Sequence, residues 1–355
     1  MTNNELIGQE IIERVRKDNC FDFLRYFFAI SLIIVHFSTL TEASLSWVVT
    51  GQTRVKAFFT ITGFLVSYSY LRRQDIRKYA KRRLRRIMPA YVAVIAVCFV
   101  ACIFVTSAPL SHYLFSLHTL KYWLANLSML NFIEPSLPGL FEHHYETAVN
   151  GSLWSMKYEA LFYLAVPLFV WLMRRFGKSA FLVAVLLFHL TYRITANYLE
   201  ATHPDSLLFH SLNHGSHNTF VYFLSGMALL LYFDWFCRHI RILLPVTALL
   251  IIVGNFVYIP LLYYLDPLIF SAFIIGIAYF CRPLNFLQRY DNISYGLYLY
   301  HYPIIQILLV YGLPQNNLYL SLFLTLLFTT ICALLSWYLI EKPILNNKKT
   351  AAIRQ

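Results

Sequence analysis

Long runs of apolar residues alternate with short polar segments along almost the whole chain. Most runs are about 17 to 22 residues long, the length that an α-helix needs to cross a hydrocarbon core about 30 Å thick. They do not show the period-two alternation of outer-membrane barrel strands. The pattern therefore predicts an all-α, polytopic membrane helix bundle of about ten transmembrane helices. The predicted spans are residues 22–40, 55–71, 89–107, 152–173, 179–197, 219–235, 242–259, 263–281, 294–312 and 318–340.

The composition agrees with a membrane protein and excludes a soluble one. Of the 355 residues, 59% are hydrophobic, 17% aromatic and only 13% charged, whereas soluble domains average about 25% charged residues. The pattern divides the chain into a cytoplasmic N-terminal segment (1–21), a transmembrane domain (22–341) and a cytoplasmic tail (342–355). Polar residues precede the first span, so we expect no cleavable signal peptide and an uncleaved first helix.

The formal net charge of +12 does not indicate nucleic-acid binding. Most of the basic residues lie in alternate short segments between the apolar runs, where lysine and arginine set the orientation of a membrane protein. The largest group is the run from Arg72 to Arg86. This asymmetry predicts that both termini are cytoplasmic. Residues 112–133, apolar but interrupted by polar side chains, are then an outer interfacial or re-entrant segment.

Polar side chains in the first span are candidate functional residues, because a charge at mid-membrane costs about 2.5 to 3.5 kcal/mol. Asp22, Arg25 and His36 have a spacing that places them on one stripe of a helix,. Two interpretations stay open. Either these residues form a functional centre, or Asp22 and Arg25 pair as an interfacial anchor while His36 bonds to a neighbouring helix.

The fourth span contains a second polar stripe. Ser155, Glu159 and Tyr163 recur every four residues and would share one helix face,. The Glu159 carboxylate needs a cation at this depth or must stay protonated. The candidate cations are Arg25, Arg54, Lys56 and protonated His36. A purely structural buried pair is the alternative to a functional role.

The basic run before the third span also allows two interpretations. It either sets topology and contacts the anionic headgroups of membrane lipids, or some of its arginines bind the phosphates of a soluble cytoplasmic substrate. Guanidinium groups suit the second role because they bind phosphate bidentately. Composition alone does not separate the two.

A metal site is not predicted. The outer loop 198–218 carries His203, His210, His214 and His217, and part of their spacing resembles a zinc site. Asn213 and Gly215 argue against one continuous helix presenting these side chains, and no cysteine is near. We expect solvent-facing loop histidines. The six cysteines lie in spans or at their predicted inner ends, so free thiols are expected,.

Six short motifs follow one another along the chain. They are Phe21-Asp-Phe-Leu-Arg25 with His36; Phe58-Phe-Thr-Ile-Thr-Gly63-Phe; Arg83-Leu-Arg-Arg86-Ile-Met-Pro89; Asn150-Gly-Ser-Leu-Trp154-Ser-Met-Lys-Tyr-Glu159 with Tyr163; Ile293-Ser-Tyr-Gly-Leu-Tyr-Leu-Tyr-His301-Tyr-Pro303; and Ser336-Trp-Tyr-Leu-Ile-Glu341-Lys-Pro343. In this order the chain resembles the acyltransferase-3 family of integral membrane acyltransferases.

Phe23 and Thr62 replace the glycine and serine common in that family, so close backbone packing there is expected to differ. The short tail resembles the stand-alone form, without an appended hydrolase-like domain.

The resemblance implies transfer of an acyl group, most often acetyl, from acyl-CoA to a hydroxyl of a carbohydrate or lipid-linked glycan. O-antigen and exopolysaccharide are the natural acceptors, and the inner membrane is the expected location. It implies that His36 is catalytic, as a general base or a transient acyl carrier, and that Glu159 orients its imidazole. Arg83 and Arg86, with Arg25, would bind the acyl-CoA donor. No metal is implied.

Further residues are expected to line or support the pathway. They are Asp22, Trp154, Ser155, Tyr163, Tyr298, His301 and Glu341. A packed, hydrogen-bonded His301 and an interfacial ion pair of Glu341 with Lys342 are the structural alternatives. The oligomeric state, the sugar and the size of the acyl group are not predicted.

A transporter or glycan-lipid translocator is the alternative function. Transporters often consist of repeated halves with interrupted helices. The sequence shows no such symmetry, and its ionisable residues concentrate in spans one and four. This distribution favours a single reaction centre.

Overall fold

The structure is a computed structural model that describes residue 15 and residues 19–45, 51–72, 75–214 and 219–346. Of Gly51, His214 and Arg282 only the backbone is described. In these ranges every regular element is helical. The helices are α1 (Phe21–Leu40), α2 (Gly51–Leu71), α3 (Ile76–Cys102), α4 (Leu110–Phe115), α5 (Leu117–Leu127), α6 (Met156–Phe176), α7 (Lys178–Thr202), α8 (Leu207–His214), α9 (Thr219–Leu231), α10 (Phe233–Phe256), α11 (Pro260–Phe280), α12 (Ser294–Val310), α13 (Leu313–Asn316) and α14 (Leu318–Ser336). Tight 3₁₀ turns cover Gly151–Ser155 and Arg282–Arg289, and a π-helical turn covers Trp337–Glu341.

Seven helical stretches in the described part of the chain are long and apolar enough to cross a membrane. They are α1, α3, Gly151–Phe176, α7, α10, α11 and Leu318–Asn346. An eighth is reached if α12 is joined to Pro283–Arg289, from which it is bent by 82°. The predicted polytopic helix bundle is therefore confirmed. The number ten and the cytoplasmic position of the termini stay predictions.

Two predicted loops turn out to be helical. α3 begins at Ile76, inside the basic run, and ends at Cys102 rather than at residue 107. α10 begins at Phe233 and includes Arg238 and Arg241. Arginine and lysine are good helix formers, so helices continue through basic segments that hydropathy assigns to loops. The predicted span boundaries were wrong at these places.

The segment predicted as interfacial consists of two short helices. α4 has 6 residues and α5 has 11, so neither can cross the membrane alone,. Ser116 separates them and accepts a hydrogen bond from the backbone N–H of Thr119, which makes it the N-cap of α5,. From α5 the chain continues as the α5–α6 loop (residues 128–150), which ends at the turn Gly151–Ser155.

The described residues divide into two compact units. The first contains those up to Leu24, those within Gln52–Tyr79 and those within Ala160–Tyr290. The second contains those within Arg25–Gly51, those of Ala80–Glu159 and those from Asp291 onwards. In the first unit α2 closely approaches α9, because a Cβ atom on Gly63 would collide with the backbone carbonyl of Phe223. Only glycine fits at position 63. The close backbone contact is therefore made directly beside Thr62, where packing was expected to differ.

In the second unit α12 packs between α14 and the part of α1 that follows Arg25. Two buried clusters join these helices; they contain Ala29, Ile33, Leu297, Ala333 and Trp337, and Phe37, Leu40, Tyr302, Ile305 and Leu309. Lipid chains are as apolar as these side chains, so burial itself drives little association in a membrane. Close packing and polar contacts therefore decide the positions of these helices.

Candidate active site

Polar residues of α12 contact other parts of the second unit at successive levels. Tyr295, Tyr298, His301 and Gln306 each form a polar contact with another segment. At 1.5 Å per residue, these contacts extend over about 16 Å of helix axis. The site is therefore arranged along one helix.

His36 and His301 form the central pair. Nδ1 of His36 lies 2.8 Å from Nε2 of His301, and the ring planes are inclined by only 21° with centroids 5.0 Å apart. His301 is 0% exposed, and its Nδ1 lies 3.0 Å from the backbone carbonyl oxygen of Leu297. The ring of Tyr302 meets His36 edge-on at 5.6 Å. The structure thus brings together two histidines that the sequence places in different spans.

The Leu297 carbonyl determines which nitrogens of the pair carry hydrogen. A carbonyl oxygen only accepts hydrogen bonds, so Nδ1 of His301 must donate,. Neutral His301 then has a lone pair on Nε2, which accepts the hydrogen of His36 Nδ1. In neutral His36 the basic nitrogen is consequently Nε2. A fixed partner on Nδ1 and a basic Nε2 is the arrangement of the histidine in a catalytic triad.

Tyr298 lies one turn before His301 and bonds to the start of the fourth predicted span. Its hydroxyl is 2.9 Å from the Ser155 hydroxyl and donates to the carbonyl of Ser152. Ser155 ends the 3₁₀ turn, and α6 begins only at Met156. Ser155 therefore lies directly before the α-helix, and its place on one face with Glu159 and Tyr163 stays a prediction.

The other predicted residues of this region have different surroundings. The ring of Trp154 packs edge-on against Tyr158, with centroids 5.9 Å apart. Tyr163 is buried in the first unit, and its carbonyl accepts a 2.9 Å hydrogen bond from the hydroxyl of Tyr79. Its role in a pathway stays a prediction.

Pro303 opens α12 to a contact from the α5–α6 loop. Proline has no backbone N–H, so the carbonyl of Leu299, four residues earlier, receives no helical hydrogen bond from residue 303,. The side-chain amide of Asn150 donates to this carbonyl at 2.8 Å. The same side chain accepts from the backbone N–H and the hydroxyl of Ser152. Asn150 thus joins the 3₁₀ turn to the helix of His301.

We expect Asn150→Ala to lower the free energy of unfolding by about 1 to 3 kcal/mol, because the buried Leu299 carbonyl loses its donor. Thermal unfolding of the detergent-purified protein measures this effect. Pro303→Ala is the matched second change, since alanine restores an N–H four residues after Leu299. The loss caused by Asn150→Ala should be smaller in the Pro303→Ala background. Equal losses in both backgrounds would show that the Leu299 contact contributes nothing.

Arg86 and Glu341 form an ion pair next to the start of α12. Nη1 of Arg86 lies 3.4 Å from Oε2 of Glu341, with the side chains 31% and 2% exposed. Oγ of Ser336 is 3.3 Å from Oε1 of the same carboxylate. The guanidinium also lies over the rings of Tyr295 (5.9 Å) and Trp337 (5.4 Å). Arg86 is therefore held in place by a carboxylate and two aromatic rings.

This pairing corrects the expectation that Glu341 bonds to Lys342. Nζ of Lys342 lies 2.6 Å from Oδ2 of Asp291 instead. Adjacent residues of a helix point about 100° apart, so the two side chains reach different partners. The π-helical turn Trp337–Glu341 directs the carboxylate inward, and such turns are frequent at functional sites,.

The structure tests some of the cations proposed for Glu159. Nζ of Lys56 forms an ion pair with Oδ2 of Asp266 at 2.8 Å, and the hydroxyl of Tyr222 donates to the same carboxylate. Lys56 therefore already has a carboxylate partner in the first unit. Nδ1 of His36 is occupied by His301, so an orienting role of Glu159 stays a prediction.

The remaining predicted residues lie on the expected helices. α1 runs unbroken from Phe21 to Leu40, so Asp22, Arg25 and His36 lie on the predicted continuous helix. Arg83 precedes Arg86 by three residues on α3. Their predicted parts in donor binding or in the pathway are not tested by this arrangement.

Sequence reasoning missed Asp266, Gln306 and the pairing function of Asn150. Asp266 and Gln306 are polar residues within predicted spans, so the rule that selected His36 would have found them,. Asn150 lies inside a motif but carries no charge. Its function becomes visible only beside the gap that Pro303 leaves in α12.

The outer-loop histidines contact nearby polar side chains where they are described. Nδ1 of His210 is 2.7 Å from Oε1 of Glu200, and Nδ1 of His203 is 3.0 Å from the Thr202 hydroxyl. The side chain of His214 and all of His217 lie outside the described residues. Within those described, no group of three potential metal ligands occurs.

Comparisons with known proteins place these features in a family context. A family model with the description "acyltransferase domain" matches residues 18–340. Nodulation protein 10 of Rhizobium leguminosarum bv. viciae is 26% identical over 321 residues, covering 85% of this chain and 84% of the relative. The O-acetyl transferase of Shigella phage Sf6 is 24% identical over 352 residues, covering 94% and 98%. The peptidoglycan O-acetyltransferase OatA of Listeria monocytogenes is 26% identical over 92% of this chain but 55% of its own length. No solved structure matches the chain.

Proposed function

This chain belongs to the acyltransferase family whose model it matches, and on that premise we propose that it is a membrane-bound O-acyltransferase. It transfers an acyl group, in the simplest case acetyl, from acyl-CoA to a hydroxyl of a cell-surface or secreted polysaccharide. The relatives named as O-acetyltransferases support the acetyl group, and the one named for peptidoglycan supports a glycan acceptor. The enzyme lies in the inner membrane with both termini in the cytoplasm.

The observation that carries the proposal is the pairing of His36 with His301. An oriented imidazole with a basic Nε2 can take the proton of an acceptor hydroxyl, a step that contributes about 10²- to 10⁴-fold to a rate. Packing alone does not require a histidine on both helices. Two histidines joined by one hydrogen bond, the second of them bonded to a backbone carbonyl, are the arrangement that this chemistry needs.

The reaction follows from the tautomer of the pair. Nε2 of His36 removes the hydroxyl proton as the acceptor oxygen attacks the thioester carbonyl carbon. The carbon–sulfur bond then breaks, and the departing sulfur takes the proton from His36. The products are an O-acyl ester and free coenzyme A, so atoms and charges balance. His301 accepts the hydrogen on His36 Nδ1 throughout and keeps the imidazole in one orientation,.

Arg83 and Arg86 are proposed to bind the donor phosphates. Guanidinium groups bind phosphate bidentately, and Glu341 and two rings hold Arg86 beside the start of α12. Tyr295, which contacts Arg86, precedes His301 by six residues, or about 9 Å of helix axis. The extended pantetheine arm of acyl-CoA would cover this distance. Arg25, on α1, adds positive charge to the same predicted cytoplasmic end.

The proposal is tested by comparing the host polysaccharide with and without this chain. Ester-bound acetate is released from purified polysaccharide by mild alkali and measured by mass spectrometry. We expect the acetate to disappear with the chain and to return when it is supplied again. Unchanged acetate would overturn the proposal. Unchanged acetate together with a loss of exported polysaccharide would identify a translocator instead.

A further inference from the structure

A cavity of about 430 Å³ lies in the second unit, bounded by α4, α5 and the α5–α6 loop. Its volume falls in the range of about 300 to 1,000 Å³ that is typical of small-molecule sites. The polar residues that line it are Ser107, His112, His118, Ser136, Glu142 and Thr147. None of them belongs to the catalytic residues considered above.

The lining indicates the chemistry of a ligand. The described residues that line the cavity include a carboxylate, two imidazoles and three hydroxyls but neither lysine nor arginine. Phosphates and acyl-CoA would require cations here. A sugar carries hydroxyls that both donate and accept, which suits this mixture of groups. Leu137, Pro138 and Leu140 add apolar surface for the C–H faces of a sugar ring.

A hydrogen-bonded group holds one side of the cavity in place. Nε2 of His118 lies 3.0 Å from Oε1 of Glu134 and 3.3 Å from the hydroxyl of Ser136. The Ser136 hydroxyl lies 3.2 Å from the same carboxylate oxygen. Each of the three side chains thus contacts the other two. Such a network keeps polar atoms oriented before a ligand arrives.

Backbone contacts fix another part of the lining. The carbonyl of Gly139 accepts hydrogen bonds from the backbone N–H (3.0 Å) and the hydroxyl (3.1 Å) of Ser107. Gly139 has a φ of +67°, and a Cβ atom there would collide with the backbone of Ala108. Glycine is therefore required for this contact. The cavity is preformed.

The α5–α6 loop is also attached to the helix that carries His301. The amide nitrogen of Gln306, a residue that is 0% exposed, donates to the carbonyls of Glu146 (2.7 Å) and Ala148 (3.0 Å). Its amide oxygen accepts from Nδ1 of His144 at 2.7 Å. Thr147, which lines the cavity, lies between the two bonded carbonyls.

The order of contacts along α12 gives the cavity a place in the reaction. Gln306 follows His301 by five residues, or about 7.5 Å of helix axis. Tyr295 and the Arg86 pair lie in the opposite direction from His301. The donor residues, the histidine pair and the cavity wall therefore follow one another along one helix.

We infer that this cavity binds the carbohydrate acceptor as a neutral, hydroxyl-rich segment of one or two sugar units. The inference rests on the proposed acyl transfer and adds an acceptor subsite to it. The α5–α6 loop, tethered through Gln306 and Asn150, holds that subsite in a constant position relative to His301.

The test uses the purified full-length chain, acetyl-CoA, and polysaccharide from a strain that lacks this chain. Thr147→Trp places a bulky ring in the lining and narrows the cavity. Tyr145→Trp is its control, because Tyr145 is on the same loop, is 59% exposed and does not line the cavity. Glu142→Gln removes one charge from the lining of the cavity. Its control is His143→Gln, a change at the next residue, which is exposed and does not line the cavity. Initial rates give the KM of each substrate.

We expect Thr147→Trp to raise the KM for the polysaccharide at least about tenfold. Glu142→Gln should raise it about three- to tenfold, because a charged hydrogen-bond acceptor becomes a neutral one. The KM for acetyl-CoA should stay within about twofold of wild type in all variants. In the two control variants the KM for the polysaccharide should also stay within about twofold. An unchanged polysaccharide KM in both cavity variants would overturn the inference. Should Thr147→Trp fail to fold, Glu142→Gln decides alone. A wild-type chain that transfers no acetyl group refutes the proposed function instead, and the acceptor subsite with it.

Discussion

Replacing His36 with alanine is expected to lower the rate of acyl transfer by about 10²- to 10⁴-fold, because the general base is lost. Initial rates of acetyl transfer to the polysaccharide, measured with equal amounts of purified protein, test this expectation. The affinity for acetyl-CoA should change little, since the donor phosphates are assigned to Arg83 and Arg86. Full activity in His36→Ala would refute the catalytic assignment.

His36→Asn separates catalysis from helix packing. The asparagine amide can donate to Nε2 of His301 from near the position of His36 Nδ1, but it has no basic nitrogen. If His36 only joins two helices, this variant should retain activity; if it is the base, the variant should be as inactive as His36→Ala. Thermal unfolding controls for the packing contribution.

His301 is expected to act through His36. We expect His301→Ala to lower the transfer rate about 10- to 100-fold, because the imidazole loses its fixed partner. The double variant with His36→Ala should be no slower than His36→Ala alone, since residues that act as a unit are not additive. Losses that multiply in the double variant would show that the two histidines act independently.

Arg86→Ala is expected to weaken acetyl-CoA binding about 10- to 100-fold, and Arg83→Ala by a similar factor. Each loses hydrogen bonds to a charged phosphate that contribute about 1.5 to 3 kcal/mol. Isothermal titration with acetyl-CoA measures the change. Arg85→Ala is the matched control, because it removes one charge from the same run. If all three variants bind acetyl-CoA as tightly as the wild type, these arginines do not bind the donor and only set the membrane topology.

Arg86→Ala also removes the counter-ion of the buried Glu341, so its effect on stability must be separated from its effect on binding. Breaking such a pair costs about 3 kcal/mol or more. Adding Glu341→Gln should restore most of the melting temperature but none of the affinity. Dephospho-CoA, which lacks the 3′-phosphate, tells which arginine contacts that group. The corresponding variant should bind both nucleotides alike.

The resemblance to a family was recognisable from the sequence, because its signals are local. Ionisable residues in apolar runs, such as His36, can be recognised in the sequence because placing them in lipid costs free energy. The order of six motifs from Phe21 to Pro343 indicated the family that the match over residues 18–340 shows. Helix ends were less predictable, since α3 and α10 extend through arginine-rich segments. Local helix formation does not stop where hydropathy changes sign.

The sequence by itself determined the helical membrane fold, the family and the residue types available for chemistry, since hydropathy, helical period and motif order are properties of neighbouring residues. Only the tertiary structure decided the partners. His36 and His301 are 265 residues apart in the chain, and Arg86 and Glu341 are 255 apart. The physical reason is that helix period places a side chain on a face, whereas packing decides what that face meets. In a membrane, lipid chains and apolar side chains are equally apolar, so hydrophobicity along the sequence does not show which helix faces pack together.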